Sequence, residues 1–219
     1  MNRSSEVTGV ILAGGRSRRF GSDKTFAEIA GKSFIERVSS ILTGLFENVI
    51  IVGRDPIDFE GLGTTAVSDA LPDLGALGGI YTGLLYAATP YIFVAACDMP
   101  LLNPKCVRII LDRAAGYDIV VPWLQDGQHP LHAAYSRKCI PHMERAVKEG
   151  ELKVISLLQE LRTLKLTEAD FTAIDPNLNS FLNINTQDDY KRALRLIEET
   201  AETREETASS LESLTRRGQ

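Results

Sequence analysis

The sequence predicts an α/β fold in which a mostly parallel sheet is covered by helices on both faces. Three observations lead there. Apolar runs at 7–13, 49–52, 91–96 and 118–122 alternate with stretches of helical periodicity such as 33–46 and 104–115. The runs Val49-Ile50-Ile51-Val52 and Tyr91-Ile92-Phe93-Val94-Ala95-Ala96 are apolar at every position, the pattern of strands buried on both faces. The chain has 219 residues, 44% hydrophobic and 24% charged, enough for one large domain with a sizeable core.

The first strand, 7–13, opens into Gly14-Gly15-Arg16-Ser17-Arg18-Arg19-Phe20-Gly21-Ser22-Asp23-Lys24. Glycines let a backbone bend sharply and present its N–H groups, and the arginines and lysine add positive charge there. Such a loop suits a nucleoside triphosphate, whose anionic oxygens need donors from several directions. It fits neither common nucleotide fingerprint. A P-loop needs Gly-x4-Gly-Lys-Ser/Thr, but Gly21 is followed by Ser22, and Gly14, Gly15 and Gly21 do not space as Gly-x-Gly-x-x-Gly.

The next elements follow in order. Phe34, Ile35, Val38, Ile41, Leu42 and Leu45 recur at helical spacing within 33–46. The strand 49–52 ends at Gly53, and 54–64 reads as a loop. A short strand at 65–68 ends at Asp69, whose carboxylate could hold a base edge or a ribose hydroxyl, or serve only as a turn residue. Residues 70–79 read as a second glycine-containing connection, with a helix from there to about Ala88. After the strand 91–96 comes Cys97-Asp98-Met99-Pro100. One carboxylate at a strand end together with substrate phosphates is the usual way to hold Mg²⁺.

Beyond residue 125 the pattern changes. Residues 128–135 look extended after a turn at Gly127. His129 and His132, three apart in an extended segment, should point to opposite faces and share no metal. Helices are expected at 137–148 and 153–160, a strand at 164–166, a loop over 172–186 and a last amphipathic helix over 187–200. The tail 201–219 reads as a frayed helix or as disorder. In open parallel sheets ligands bind beyond the carboxyl ends of the strands, so the loops at 14–24, 69–79 and 97–100 belong to one edge.

Composition excludes other classes. The net charge is −5, unlike the basic excess of a general nucleic-acid binder. No apolar stretch reaches the ~18 residues of a membrane span, and Met1–Glu6 is too polar for a signal peptide. Cys97, Cys106 and Cys139 lie far apart with no Cys-x-x-Cys, as expected of thiols in a reducing compartment. A cytoplasmic protein with no nucleic-acid and no membrane partner is expected.

Leu12-Ala13-Gly14-Gly15-x-Ser-x-Arg19-Phe20-Gly21-x-Asp23-Lys24 resembles the signature loop of Rossmann-like nucleotidyltransferases, and more narrowly of molybdenum cofactor guanylyltransferases. The resemblance extends through Gly75-Ala76-Leu77-Gly78-Gly79, Cys97-Asp98-Met99-Pro100, His129-Pro130-Leu131 and Asn183-Ile184-Asn185-Thr186. It implies a single-domain, three-layer fold over 1–200, with a nucleotide-binding part at about 7–125 and an acceptor-binding part at about 126–200. It implies transfer of GMP from GTP to the terminal phosphate of molybdenum-molybdopterin.

By that resemblance Leu12, Ala13, Gly14, Gly15 and Gly78 contact the nucleotide, Asp69 its guanosine part, and Lys24 and Arg19 its phosphates. Asp98 holds Mg²⁺, and Arg19, Lys24 and Asp98 are the catalytic set. His129, Asn183 and Asn185 form the acceptor side. GTP, molybdenum-molybdopterin and the molybdoenzymes that receive the product, or their chaperones, are the implied partners. A cytidylyl- or sugar-phosphate nucleotidyltransferase of the same fold is the alternative, and a non-catalytic cofactor-binding or chaperone protein is a further one.

Overall fold

The computed structural model describes residues 4–13, 24–53 and 55–201, except the side chain of Lys24. The expectations for Gly14, Gly15, Arg19 and the tail beyond 201 therefore lie outside the described residues.

In chain order the first elements are β1 (Val7–Leu12), the hairpin β2 (Glu28–Ile29) and β3 (Lys32–Ser33), α1 (Phe34–Leu45), β4 (Val49–Gly53) and β5 (Thr65–Ser68). Then come α2 (Gly75–Tyr86), β6 (Tyr91–Ala96), α3 (Pro104–Leu111), β7 (Ile119–Leu124), β8 (Gly127–Gln128) and β9 (His132–Ser136). The chain closes with α4 (Cys139–Glu149), α5 (Val154–Glu160), β10 (Thr163–Leu166), α6 (Glu168–Phe171) and α7 (187–201).

The main sheet runs β10-β7-β9-β6-β1-β4-β5. Only β9 lies antiparallel to its neighbours in that order. The chain steps outward from β1 to β4 and β5, then returns through α2 to β6 on the other side of β1. The strand order thus reverses between β1 and β6, the point beyond whose carboxyl ends open α/β sheets bind their ligands.

Alternation along each strand divides the core in two. Ile11, Ile51, Phe93 and Ala95 pack with α1, α3 and Phe171. Val10, Leu12, Ile50, Val52 and Val94 pack with α2, α4 and α5. A third cluster joins α7 to the hairpin through Ile29, Phe34, Ile184 and Ala193, and Tyr190 donates its hydroxyl to the Glu28 carbonyl at 3.0 Å. No helix among the described residues is long and apolar enough to cross a membrane.

Local chemistry sets the boundaries. Ser33 and Glu36 form a reciprocal capping box at the start of α1. Asn103 caps α3, with Pro104 in its first turn. That helix stops at Leu111 and not at 115, because the chain turns toward Gly116, which sits at φ +84°. The 54–64 loop contains a 3₁₀ turn, Pro56–Phe59.

The expectation of a connection over 70–79 is corrected, since α2 already begins at Gly75. Its glycines are contact points, not hinges. A Cβ on Gly79 would stand 3.0 Å from the Leu12 side chain, and one on Gly83 would stand 2.8 Å from Val10. Bare glycine lets α2 lie directly on β1.

Candidate functional site

The carboxyl ends of β1, β4, β5 and β6 carry the residues singled out in the sequence. Ala13 donates its amide to Val52 O at 2.9 Å, and Cys97 donates to Leu12 O at 3.1 Å. The backbone of Leu12-Ala13 is thereby clamped between β4 and β6 just where the glycine-arginine loop departs. Both side chains are buried, Leu12 against Gly79. The chain re-enters at Lys24, which opens a 3₁₀ turn over Lys24–Phe26. Buried Thr25 places its hydroxyl 3.8 Å from Cys97 Sγ, so the backbone of Lys24 is anchored beside the end of β6.

Asp98 follows directly, half-buried, and its carbonyl accepts the amide of Ile184 at 3.0 Å. That bond seats Asn183 and Asn185 on either side of the Asp98 backbone. Thr186 then caps α7. The Asn185 and Thr186 amides donate to Asp189 Oδ2 at 3.0 and 2.8 Å, and the Asp189 amide donates to Thr186 Oγ1 at 3.1 Å.

Asp69 continues β5, its amide donating to Gly53 O at 3.0 Å. Its Oδ1 accepts from the Leu71 amide at 3.0 Å and the Thr82 hydroxyl at 2.8 Å. Gly78 lies under this turn, where a Cβ would meet the Leu71 carbonyl at 2.5 Å. Three strand spacings, about 14 Å, separate the ends of β5 and β6. An extended nucleotide can bridge that span with its nucleoside at Asp69 and its phosphates at Asp98.

The two histidines correct an expectation. They do not point to opposite faces, because His129 belongs to a turn and not to β9: the His132 amide donates to His129 O at 3.0 Å. Both rings face Phe181, at 5.3 Å for His129 and 4.4 Å for His132 between centroids. His129 Nε2 donates to Asp126 Oδ1 at 2.9 Å. His132 is fully buried, and burial lowers its pKa to about 3, with His129 nearby adding to the effect. It is a neutral core residue. His142 lies elsewhere, 3.8 Å from Glu160 on the α4–α5 surface.

A cavity of about 300 Å³ opens next to this cluster, beyond the end of β7. Leu124, Leu178 and Phe181 supply its apolar wall, with Asp126, Glu168 and Arg192 at its polar side. Sequence reasoning missed the residues that organise this end of the sheet, Asp175, Ser180 and Phe181. The Asp175 carboxylate accepts the amides of Asn179 (3.1 Å) and Ser180 (2.7 Å), and Ser180 Oγ accepts the amide of Asn103 at 2.8 Å. A lone Asp before Pro176 gives no periodic signal. Two buried thiols offer no nucleophile: burial pushes Cys106 up to about 11 and Cys139 up to about 12.

A mainly parallel sheet whose strand order reverses between β1 and β6, with Asp98 at that point and Asp69 at the end of β5, is the architecture of the nucleotide-binding class of α/β proteins, and the Asn183–Asn185 segment folds back onto the same edge. The chain belongs to the family of the MobA-like NTP transferase domain, whose model matches residues 9–164. It is similar to the molybdenum cofactor guanylyltransferase of Desulfosudis oleivorans, 36% identical over 189 residues, covering 85% of this chain and 94% of that one. It is also similar to the probable molybdenum cofactor guanylyltransferase of Pelotomaculum thermopropionicum, 37% identical over 200 residues, covering 90% and 96%. Among solved structures it resembles molybdopterin-guanine dinucleotide biosynthesis protein A from Archaeoglobus fulgidus, with TM-score 0.77 and 30% identity over 88% of this chain and 99% of that one.

Proposed function

We propose that this protein transfers GMP from GTP to the terminal phosphate of molybdenum-molybdopterin, giving the guanine dinucleotide form of the cofactor and pyrophosphate. The observation that carries this reading is the Ile184–Asp98 backbone bond. It joins the edge suited to a nucleotide to the Asn183–Asn185 segment suited to a second substrate, in a chain similar to guanylyltransferases over most of its length.

The chemistry asks little of a base. A phosphate monoester is largely ionised at pH 7, so its oxygen can attack the α-phosphorus directly. The new P–O bond forms as the α–β bridging bond breaks, and pyrophosphate leaves with the electron pair. The barrier is the approach of two anions, so positioning and electrostatics dominate. Leu12, Ala13, Gly14, Gly15 and Gly78 would line the nucleotide, with Asp69 holding the nucleoside. Arg19 and Lys24 would hold the triphosphate, and His129, Asn183 and Asn185 the acceptor.

The donor set at the end of β6 fits Mg²⁺. Among the described residues no group of three or more His, Cys, Asp or Glu gathers to form an all-protein cage, and this ion usually takes one or two carboxylates plus substrate phosphates. Asp98 would hold it, and the ion would neutralise charge on the α-phosphate and on the departing pyrophosphate. The reducing, cytoplasmic setting expected from the cysteines suits both substrates.

The test is a reaction with molybdenum-molybdopterin, Mg²⁺ and each of GTP, CTP, ATP and UTP, scored for dinucleotide and pyrophosphate. GTP should give both products in equal amount and far faster than the others. Preference for CTP would instead make this a cytidylyltransferase. Tight cofactor binding with no pyrophosphate release would make it a binding protein.

A further inference from the structure

Thr82 is fully buried on α2, in the helix that lies on β1, and its hydroxyl is placed against Asp69. The oxygen stands 2.8 Å from Asp69 Oδ1 and also 2.8 Å from the Gly78 carbonyl, the acceptor that helical threonines commonly use. A hydroxyl has one proton to give, and an ionised carboxylate is the stronger acceptor of the two. The same oxygen accepts the Ala70 amide at 3.0 Å. Thr82 thus grips the residues on which β5 ends, from both the acceptor and the donor side.

The consequence for Asp69 is specific. Oδ1 is held by two donors, the Thr82 hydroxyl and the Leu71 amide. Oδ2 takes no hydrogen bond among the described residues. The turn is pressed onto α2 where Gly78 offers no side chain; a Cβ there would stand 3.3 Å from Oδ2 and 2.5 Å from the Leu71 carbonyl. A carboxylate with one oxygen fixed by two donors cannot rotate freely, so its second oxygen is presented in one direction.

We propose that Thr82 is a positioning residue for nucleoside recognition: it orients Asp69 so that Oδ2 meets the N–H or O–H donors of the bound nucleoside. This rests on the assignment of Asp69 to the guanosine part of GTP. Gly78 shares the task by leaving room for the Asp69–Leu71 turn, which makes its part in nucleotide binding a matter of backbone approach.

Three variants of the full chain test it: Thr82→Val, which keeps the shape and removes the hydroxyl, Thr82→Ser, which restores it, and Asp69→Asn. Equilibrium binding of GTP and the separate values of kcat and KM are the readouts, with the thermal midpoint as a check on folding. Thr82→Val should weaken GTP binding and raise KM about tenfold, the scale of a hydrogen bond to a charged group, while kcat stays within about twofold. Thr82→Ser should bind GTP within about twofold of the parent. Weakened binding by Asp69→Asn with parental binding by Thr82→Val overturns the role of Thr82 and leaves Asp69 in place. A folded Thr82→Ser that binds as poorly as Thr82→Val also overturns it, because restoring the hydroxyl would then restore no binding. Parental GTP binding by Asp69→Asn overturns the assignment of Asp69 itself, and the inference with it.

Discussion

Ile184 donates its amide to the carbonyl of Asp98 over 3.0 Å, and through that bond the segment that leads into α7 is fastened to the carboxyl end of β6. Asp98 continues a strand in which Ile92–Ala95 are fully buried, so its backbone has little freedom. Ile184 is itself fully buried, in the cluster that joins α7 to the β2–β3 hairpin. The contact is thus held from two sides, and the asparagines beside Ile184 inherit a fixed position relative to the Asp98 carboxylate.

Removing the charge at this point should stop chemistry without unfolding the protein. Asp98→Ala and Lys24→Ala are each expected to lower turnover about 10²–10³-fold, the usual cost of losing one electrostatic contact to a transferring group. The bond to Ile184 uses the Asp98 backbone and so survives the substitution, and far-UV circular dichroism should show the fold retained. For Lys24 the expectation follows from the loop's charge pattern and from its anchored backbone. Pyrophosphate release by either variant at near-parental rate would remove that residue from the catalytic set.

The segment that carries Ile184 depends on a buried carboxylate. Asp175 is 8% exposed and accepts the amides of both Asn179 and Ser180. Asp175→Ala leaves two partly or fully buried N–H groups without their acceptor, which should cost about 3 kcal/mol. Asp175→Asn keeps one acceptor oxygen and should recover part of that loss. Urea unfolding of the two variants measures both values, and equal stability of Asp175→Ala and the parent would show that the turn holds without this clamp.

The nucleotide-facing half was legible in the sequence because it obeys periodicity. β1, β4, β5, β6 and β7 fall within two residues of their expected bounds, since continuous apolar runs in an α/β chain leave few alternatives. The start of α2 was not legible. Glycines at 75, 78, 79 and 83 carry low helix propensity, and the reason they are tolerated lies in the folded structure: Gly78, Gly79 and Gly83 press against the Asp69–Leu71 turn, Leu12 and Val10 with little or no room for a Cβ, and Gly75 starts the helix at φ +60°. The pairing of His129 with His132 was misread for a similar reason, because a turn at 129–132 interrupts the alternation that an unbroken strand would keep. Thr82 and Asp175 gave no signal at all. Thr82 acts through partners 12 and 13 residues away, which spacing along a chain does not encode, and Asp175 clamps amides 4 and 5 residues on in an irregular turn that has no periodic pattern.

His132 makes the stability of this edge depend on pH, and the sign can be worked out. Its ring lies between Phe93, 5.5 Å away edge-on, and Phe181 at 4.4 Å, and neither ring nitrogen has a hydrogen-bond partner among the described residues. Burial and the neighbouring His129 lower its pKa to about 3; the Ser180 backbone opposes this weakly, without meeting hydrogen-bond geometry. The unfolded chain takes up the proton near the ordinary value of about 6.5. Between those two values the unfolded state binds the proton and the folded state does not. The contribution is therefore fully present above about pH 6.5 and falls as the pH drops toward 3, by about 1.4 kcal/mol per pH unit. His132→Phe places another ring between Phe93 and Phe181 and abolishes this linkage. Carboxylates also titrate at low pH, so the informative quantity is the difference between parent and variant. From pH 7 to pH 5 the parent should lose about 2 kcal/mol more unfolding free energy in urea than His132→Phe. Equal losses would mean that His132 finds a proton-stabilising partner in the folded protein.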